Sequence, residues 1–298
     1  MEFQDDTFIY WSVERDKIRA AREAGKPRDE WTQDPILKEF SFCNVSREDD
    51  RTTRWVKENV RDPYDQDGDS YQLFLAMCVC RFFNLPESLN LLVKEGILQA
   101  GKALDLHALH DCLQDYKDES TSHRVFAAAY MVGAPDNHRT YAFGFEKIAY
   151  VCGVLNDAVL PDECTRAPHH RKRQFFVEEL NKQFGFAEFM SGQVAADLAY
   201  THVLGQASDH YTWAPRGPGA MKGMNLTVGK PMNRNIPVDE YLSIGRAQMD
   251  ALPADLKLDR DLHMHDVASN VNCETSKYLQ LKLFGKKPKR KYKNWSNT

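Results

Sequence analysis

The spacing of the hydrophobic residues constrains the fold of this chain most, because it repeats with the period of an α-helix. In residues 8–24 the apolar positions Ile9, Trp11, Val13, Ile18 and Ala21 are separated by charged residues, and the Gly-Lys-Pro that follows is typical of a helix end. Ser46 and three acidic residues in the next turn predict the start of another helix, over residues 46–60. Further helices are predicted over approximately residues 69–84, 86–96, 100–115, 121–132, 142–157, 171–184, 187–205, 238–250 and 261–283.

Strand patterns are almost absent, since the best one covers only residues 140–145. No internal repeat or low-complexity linker divides the 298 residues. We therefore predict an all-α fold with a single helical domain over residues 1–284, followed by a basic tail over residues 285–298.

Composition excludes several classes of protein. The chain is 42% hydrophobic and 28% charged, which is typical of a globular domain and not of a disordered chain. It has no apolar run of about 18 residues and no basic residues before an apolar segment at its start, so we expect no membrane span or secretory signal and a cytoplasmic protein. The seven cysteines form no CxxC pair, which favours free thiols. His107, His110 and Cys112 are interpreted as residues of a surface helix, and no metal site is predicted.

The charge of the chain is unevenly distributed. The net charge of −4 divides into −11 for residues 1–281 and +7 for residues 282–298, which contain seven basic and no acidic residues. This distribution indicates a polyanionic partner for the tail, such as a nucleic acid.

Residues 31–55 combine Arg, Asp and Asn with aromatic residues. Asn44, Arg47, Asp50 and Arg51 lie in this window. Guanidinium groups make two-pronged contacts with phosphates or carboxylates, so the window predicts either an anion site or an internal Arg–Asp network.

Residues 175–204 contain two helical patterns around a short break at residues 183–186, a helix–hairpin–helix arrangement. Phe189, Gln193, Asp197 and Tyr200 follow at spacings of four, four and three, which predicts that they share one face. Backbone N–H groups in such a hairpin can bind a phosphate, although short Gly-containing connections between helices are also common.

Residues 208–225 are rich in glycine. Gly217, Gly219 and Gly223 predict a loop whose backbone can approach a ligand closely, and Arg216 and Lys222 lie on either side of its first glycines. This composition indicates an anion site or an irregular surface loop. The chain contains no GxxxxGK[ST] and no GxGxxG after a strand, so a P-loop kinase and a Rossmann dehydrogenase are not predicted.

Glu274 and Lys277 lie three residues apart in the helical segment near the C-terminus. This spacing is typical of a surface ion pair. Because core-like residues lie on both sides of the pair, it is also a candidate for a partly buried proton acceptor with a cationic partner.

Taken in order, these segments resemble the family of α-glutamyl/putrescinyl thymine pyrophosphorylases. This family is also described as amino-acid:DNA transferases and as the helical domain that accompanies 5-hydroxymethyluracil DNA kinases. The resemblance extends over approximately residues 10–293 and rests on the motifs WTQDPIL, FxFCNVSREDDRTTRW, FAAAYMVG, FGFAEFMSGQVAADLAY, WAPRGPGAMKGMN and CETSKY followed by the basic tail.

The resemblance implies a fold similar to the helix–hairpin–helix DNA glycosylases and a role in thymidine hypermodification, chiefly in tailed bacteriophages. In that pathway a separate kinase pyrophosphorylates 5-hydroxymethyluracil in DNA, and an amino acid or polyamine then displaces the pyrophosphate. The implied partners are DNA with modified thymine, an amine donor and the kinase, without a cofactor. A phage-encoded enzyme of this kind would act in the host cytoplasm.

The resemblance also suggests roles for individual residues. Asp209 lies a little over twenty residues after the hairpin, near the position of the catalytic Asp in glycosylase-like members, and Glu274 with Lys277 is the alternative base and phosphate partner. The remaining candidates fall into two groups. The pyrophosphate or DNA group is Arg216, Gly217, Gly219, Lys222, Arg47 and Arg51, and the substrate group is Asn44, Asp50, Gln193, Asp197, Tyr200 and Trp213.

Two departures from the family pattern concern substrate choice. Thr275 and Ser276 replace a more acidic or aromatic stretch, and Ala220-Met221 replaces a Ser and a basic residue. Two other functions stay open at this point: a base-excising DNA glycosylase, and a non-catalytic DNA-binding accessory of a modifying complex. The identity of the amine donor also stays open.

Overall fold

In the computed structural model, which describes residues 6–127 and 145–285, every regular element is helical. The all-α prediction is confirmed for these ranges. The helices are α1 (Thr7–Glu23), α2 (Pro35–Glu39), α3 (Arg51–Val56), α4 (Asp62–Asp67), α5 (Ser70–Phe83), α6 (Pro86–Lys94), α7 (Leu106–Glu119), α8 (Phe145–Asn156), α9 (Arg173–Leu180), α10 (Glu188–Leu198), α11 (Pro218–Thr227), α12 (Val238–Ala251), α13 (Ala254–Asp259) and α14 (Asn272–Phe284). Short 3₁₀ helices cover Arg28–Glu30, Arg47–Asp49, Asp162–Thr165 and Pro168–His170, and π-helical turns cover Lys57–Arg61 and His265–Val271.

The helices group into two compact units. The first unit combines the two ends of the chain, Met1–Asp50 and His210–Thr298, and the second is Arg51–Asp209. The chain therefore leaves the first unit after residue 50 and returns to it at residue 210. In the described residues, no helix has both the length and the apolar character needed to cross a membrane.

The first unit has an aromatic core between α1, α14 and the segment around Phe42. The Phe42 ring meets Trp11 of α1 and Tyr278 of α14 edge-on, with centroids 6.1 and 6.4 Å apart. All three residues are almost fully buried. Edge-to-face pairs of this kind add about 0.5–1.5 kcal/mol each beyond the area that they bury. The core therefore holds the segment around Phe42 against both helices.

The second unit is built around α5, in which every residue from 73 to 83 is buried. The predicted helix–hairpin–helix corresponds to α9 and α10, which pack against each other and are joined by residues 181–187. Gly185 turns this connection with φ +80°, and a Cβ at that position would lie 2.2 Å from Val154. Only glycine meets both conditions without strain.

Most of the predicted helices are confirmed, with ends that differ by a few residues. The prediction over residues 46–60 is wrong at its start: Ser46 accepts the Glu48 N–H and caps only a 3₁₀ turn, Asp50 is extended, and the helix begins at Arg51. The helix predicted over residues 121–132 is wrong for residues 121–127, where the Ser120 hydroxyl accepts the Ser122 N–H in place of a helical bond. Of the strand predicted over residues 140–145, residues 140–144 lie outside the described residues and Phe145 begins α8. The basic tail from residue 286 also lies outside the described residues.

Candidate functional site

Five of the predicted site residues come together in the first unit: Asn44, Arg47, Asp50, Glu274 and Lys277. The first three lie in the segment of residues 40–50, and the other two lie in the first turns of α14. We call this group the carboxylate–lysine site. It joins positions that are 231 residues apart in the sequence, through a hydrogen bond from the Cys43 N–H to Glu274 Oε2 of 3.0 Å.

Glu274 and Lys277 form an ion pair whose acid is buried. Lys277 Nζ donates to Glu274 Oε1 at 2.6 Å, and the side chains are 30% and 3% exposed, respectively. Burial lowers the pKa of Lys277, but the negative charge of Glu274 outweighs this effect, so the pKa lies above its ordinary value. The pair therefore places a permanent cation at the edge of a site whose carboxylate has both oxygens occupied.

Asp50 is a different kind of acid, because one of its oxygens is available. Asp50 Oδ1 accepts the Asn44 N–H at 2.8 Å, and the side chain forms no other hydrogen bond or ion pair with the described residues. Burial raises the pKa of Asp50 to about 7 against the opposing effects of the Asn44 N–H and Arg15, and the charge of Glu274 raises it further. A carboxylate with this pKa can accept and return a proton near neutral pH.

Asn44 adds a second available acceptor. The Asn44 side-chain N–H donates to the Asp49 carbonyl at 2.7 Å, and the backbone carbonyl of Asn44 accepts from the Asn270 side chain at 3.0 Å. Asn44 is buried, yet its Oδ1 has no hydrogen-bond partner in the described part of the chain. Since an unsatisfied buried acceptor costs about 1–3 kcal/mol, such an atom is a candidate for contact with a ligand.

The segment of residues 40–50 is also anchored by Asp266, which we did not single out in the sequence. Asp266 Oδ1 accepts the Arg47 N–H at 2.9 Å and Oδ2 accepts the His263 N–H at 3.1 Å. Burial raises the pKa of Asp266 to about 6, although the Arg47 N–H opposes this shift. Asp266 lies in the π-helical turn that precedes α14, a type of turn that is frequent at functional sites.

Arg15 of α1 is a second residue that we did not single out. Its guanidinium is buried and donates to the carbonyls of Phe42 and Cys43, with the Cys43 bond at 3.0 Å. The sequence contains a signal that Arg15 is buried, because Trp11, Arg15 and Ile18 lie on one face of α1 at spacings of four and three. A cation within an apolar stripe is a signal for a buried network.

The loop predicted over the glycine-rich segment is wrong from Pro218 onward, where the chain is helical, whereas residues 208–217 are not helical. Helix α11 begins at Pro218, directly after Gly217, and a proline favours the first position of a helix. A Cβ at Gly219 would lie 2.6 Å from Cys273 Sγ, and one at Gly223 would lie 2.0 Å from the Asn272 carbonyl oxygen. These two glycines therefore allow α11 to pack closely against α14. Ligand contacts by Gly217 and Gly219 stay predictions.

The cations beside this segment differ in their contacts. Arg216 Nη1 donates to the Ile236 carbonyl at 3.0 Å, whereas the Lys222 side chain forms no hydrogen bond or ion pair with any residue that the structure describes. Trp213, predicted to stack on a flipped base, is only 8% exposed. Stacking on a base would therefore require movement around Trp213.

Asp209 belongs to the second unit and caps a helix. Its two carboxylate oxygens accept the backbone N–H groups of Arg173 and Gln174, at 2.8 and 2.9 Å, at the start of α9. This contact satisfies helix donors and stabilises the helix terminus. The role of Asp209 as a base stays a prediction. Arg51, the first residue of α3, is exposed, and its side chain has no hydrogen bond or ion pair within the described ranges.

The shared face predicted for Phe189, Gln193, Asp197 and Tyr200 is wrong for Tyr200, whereas the other three residues keep their spacing of four along α10. The helix ends at Leu198, so Tyr200 lies beyond it, and Asp197 is fully buried whereas Phe189 is 45% exposed. Asp197 forms a two-pronged ion pair with the buried Arg81 of α5.

The other two members of that set are accessible in part. Gln193 is half-buried, and Tyr200 is half-buried beneath the guanidinium of Arg61, which lies 5.1 Å from the ring centroid. Their contacts with a substrate stay predictions. All seven cysteines are free thiols, and within residues 6–127 and 145–285 no group of three or more His, Cys, Asp and Glu side chains is arranged to hold a metal.

Fold and site together define an all-helical protein in which a buried carboxylate is paired with a half-buried lysine beside a half-buried acid. Residues 3–286 match the family model described as "5-hmdU DNA kinase, helical domain", so the chain belongs to this family, which is associated with DNA hypermodification. The family match confirms this part of the resemblance. No curated protein and no solved structure matches the chain.

Proposed function

We propose that the chain is a DNA base hypermodification transferase. It displaces pyrophosphate from 5-pyrophosphoryloxymethyluracil in DNA with the amine of an amino acid or a polyamine. The observation that carries this proposal is the carboxylate–lysine site, in which a permanent cation and an acid that titrates near neutral pH lie in a chain of the 5-hmdU DNA kinase helical-domain family. The kinase step is assigned to a separate protein, because this chain has no phosphate-binding P-loop.

The reaction needs a neutral amine. The donor arrives as an ammonium ion and gives one proton to a carboxylate. The nitrogen lone pair then forms a bond to the methylene carbon at C5 of the base, while the carbon–oxygen bond to pyrophosphate breaks and its electron pair leaves with the pyrophosphate. The carboxylic acid returns its proton to the departing pyrophosphate, so the base is regenerated.

Asp50 is the base that the contacts favour. Its free oxygen can accept a proton, whereas the oxygens of Glu274 are held by Cys43 and Lys277 and those of Asp209 by backbone N–H groups. The buried Oδ1 of Asn44 provides a second acceptor for the N–H groups of the incoming amine. The two acceptors, Asp50 and Asn44, lie in the same segment of residues 40–50 and support binding of a cationic amine before it loses its proton.

Lys277 is the cation that we assign to the departing pyrophosphate. Glu274 keeps it charged and holds it at the edge of the site. Arg216, Lys222, Arg47 and Arg51 remain candidates for further contacts with phosphate. Fixed positive charge that meets the developing charge of a leaving group is worth about 3–4 kcal/mol of barrier per donor in known enzymes.

DNA enters the proposal as the carrier of the substrate base. A base within duplex DNA cannot reach a half-buried acid, so the modified nucleotide would be flipped out of the helix. Tyr200 and Trp213 stay candidates for stacking on the flipped base.

The test supplies purified protein with DNA that contains pyrophosphorylated 5-hydroxymethyluracil and a mixture of amino acids and polyamines. Release of pyrophosphate, together with a nucleoside whose mass has increased by that of one amine, is the expected result. No release with any of these amines would overturn the proposal. Abasic sites in the same DNA would instead assign the chain to base excision.

A variant separates the proposed chemistry from contamination. Lys277→Met should lose at least about 100-fold in the rate of pyrophosphate release, because it removes the cation from the leaving group. Lys257→Met is the matched control, since Lys257 is half-buried outside the site and its ammonium donates only to the Asp250 carbonyl. Equal loss in both variants, or in neither, would contradict the assignment of Lys277.

A further inference from the structure

A cluster of positive charge lies in the second unit, immediately before α9. Residues 166–172 contain Arg166, His169, His170, Arg171 and Lys172, and no acidic residue occurs between Glu163 and Glu178. We call residues 166–172 the basic segment. The segment concentrates positive charge in a chain whose net charge is −4, and the function proposed above assigns it no role.

The basic segment is held in a defined position. Arg171 Nε donates to the Arg166 carbonyl at 2.8 Å, and its Nη1 donates to the Val203 carbonyl at 2.6 Å. The Arg171 carbonyl accepts the Ser208 N–H at 3.0 Å. Arg171 therefore holds the basic segment against residues 203–208. The other cationic side chains of the segment are not used in this contact.

Those other side chains face solvent. Arg166, His169, His170 and Lys172 are all exposed. The Lys172 side chain forms no hydrogen bond or ion pair with any described residue, and its ammonium lies 5.2 Å from the centroid of the Phe175 ring. The Arg166 guanidinium lies 5.7 Å from the same ring, so two cations border one half-buried aromatic side chain.

The carboxylates that contact the segment compensate only part of this charge. Glu163 is buried, accepts the Lys172 N–H at 2.6 Å and lies 3.0 Å from Arg166 Nε. Asp209 is buried as well, with both oxygens on the N-terminus of α9. The acids therefore fix the backbone of the segment from the inside, while the exposed surface is cationic.

We propose that the basic segment binds the phosphodiester backbone of the duplex DNA that carries the substrate base. This inference rests on the proposed function for its partner. Exposed Arg and Lys side chains on a fixed backbone match the regular negative charge of duplex DNA, and such contacts position DNA without reading its sequence. The segment is thus a positioning surface, separate from the residues assigned to the chemistry.

The experiment measures binding of a fluorescent, unmodified duplex by anisotropy over a range of salt concentrations. Lys172→Gln removes one cation without disturbing any hydrogen bond of its side chain. Each phosphate contact contributes about 0.9 to the slope of log affinity against log salt. The variant should therefore lower that slope by about 0.9 and weaken binding at 0.1 M salt by about fivefold to tenfold.

The double variant Arg166→Gln/Lys172→Gln should lower the slope by about 1.8. Lys94→Gln/Lys102→Gln is its matched control, because it removes two exposed lysines of the same unit that lie outside the carboxylate–lysine site and the basic segment. Since Arg166 pairs with the buried Glu163, the single variant keeps the test valid if the double variant folds poorly.

An unchanged slope and affinity in Lys172→Gln, or an equal loss in the control pair, would overturn the inference. The two proposals fail separately. Pyrophosphate release with normal DNA binding by Lys172→Gln refutes the basic segment alone. Salt-dependent binding that is lost in Lys172→Gln, without pyrophosphate release by the wild type, refutes the transferase alone.

Discussion

Replacing Asp50 by Asn should make the protein more stable and less active at the same time. The amide oxygen of Asn can still accept the Asn44 N–H, so the local geometry is retained. The substitution removes only the ionisable group. Stability and activity therefore change for one reason, the free energy of holding a charge at this position.

The effect on stability follows from the pKa of Asp50, which is about 7 in the folded chain against an ordinary value of 3.8. The folded state binds the proton more tightly than the unfolded state, so the free energy of unfolding falls as the pH rises from about 4 to about 7. At about 1.36 kcal/mol per pH unit, the upper bound is roughly 4 kcal/mol, and solvent screening of a half-buried group reduces it to about 1–2 kcal/mol. Asp50→Asn should gain this amount at pH 8 and almost nothing at pH 4.

The effect on activity has the opposite sign. Without a proton acceptor, the rate of pyrophosphate release should fall by about 10²- to 10⁴-fold. In the wild type, kcat/KM should rise with pH up to about 7 and then level off as Asp50 becomes ionised. The residual activity of Asp50→Asn should lack this rise.

Urea denaturation at pH 4.5 and pH 8, together with pyrophosphate release over the same pH range, measures both effects. Asp250→Asn is the control, because Asp250 is exposed in the last turn of α12 and its side chain has no hydrogen bond or ion pair in the described residues. A variant Asp50→Asn that is less stable than the wild type at pH 8 would refute the reasoning about burial. Retained activity with an unchanged pH profile would refute Asp50 as the base.

Three other changes test the packing and the ion pairs. In thermal unfolding, Gly223→Ala should lower the free energy of unfolding by about 2–3 kcal/mol, because its Cβ would overlap the backbone of α14. Gly153→Ala is the control and should be neutral or slightly stabilising, because no described atom lies within 4 Å of the added Cβ. In urea denaturation, Lys277→Met should lower the free energy of unfolding by about 1–3 kcal/mol, because it leaves Glu274 unpaired. Adding Glu274→Gln should restore part of this loss. A double variant less stable than Lys277→Met would contradict the coupling between the two residues. Asp197→Asn should cost about 3–5 kcal/mol in the same assay, with the kcat of the folded fraction unchanged, and a selective loss of kcat would return Asp197 to the substrate site.

The helical fold was predictable because its elements carry strong local signals. The amphipathic stripe of α1 and the Asp caps before α5 and α7 act over a few residues, and such signals survive in a single sequence. Helix α11 was not predicted, because glycine lowers helix propensity and its packing role depends on α14, about fifty residues away. Tertiary packing overrode local propensity there.

The candidate site was predictable only in part. Glu274 and Lys277 were found by their spacing, and Asn44, Arg47 and Asp50 by their composition beside aromatic residues. The bond from the Cys43 N–H to Glu274 joins the two groups over 231 residues, and no periodicity reports such a contact. The available oxygen of Asp50 depends on which neighbours occupy the other acids, which is a property of the folded chain.

The division of the first unit between the two ends of the chain has a consequence for the order of events during synthesis. Residues 40–50 are synthesised well before Asp266 and Glu274, which hold them, because 219 and 231 residues separate the bonded positions. Helices of the second unit have their sequence partners nearby and can fold while the chain is still growing. Once folded, the second unit shortens the flexible loop that the first unit must close, and this reduces the entropy cost of closure. The carboxylate–lysine site therefore forms only after residues 266–277 have been synthesised, however early its first half is made.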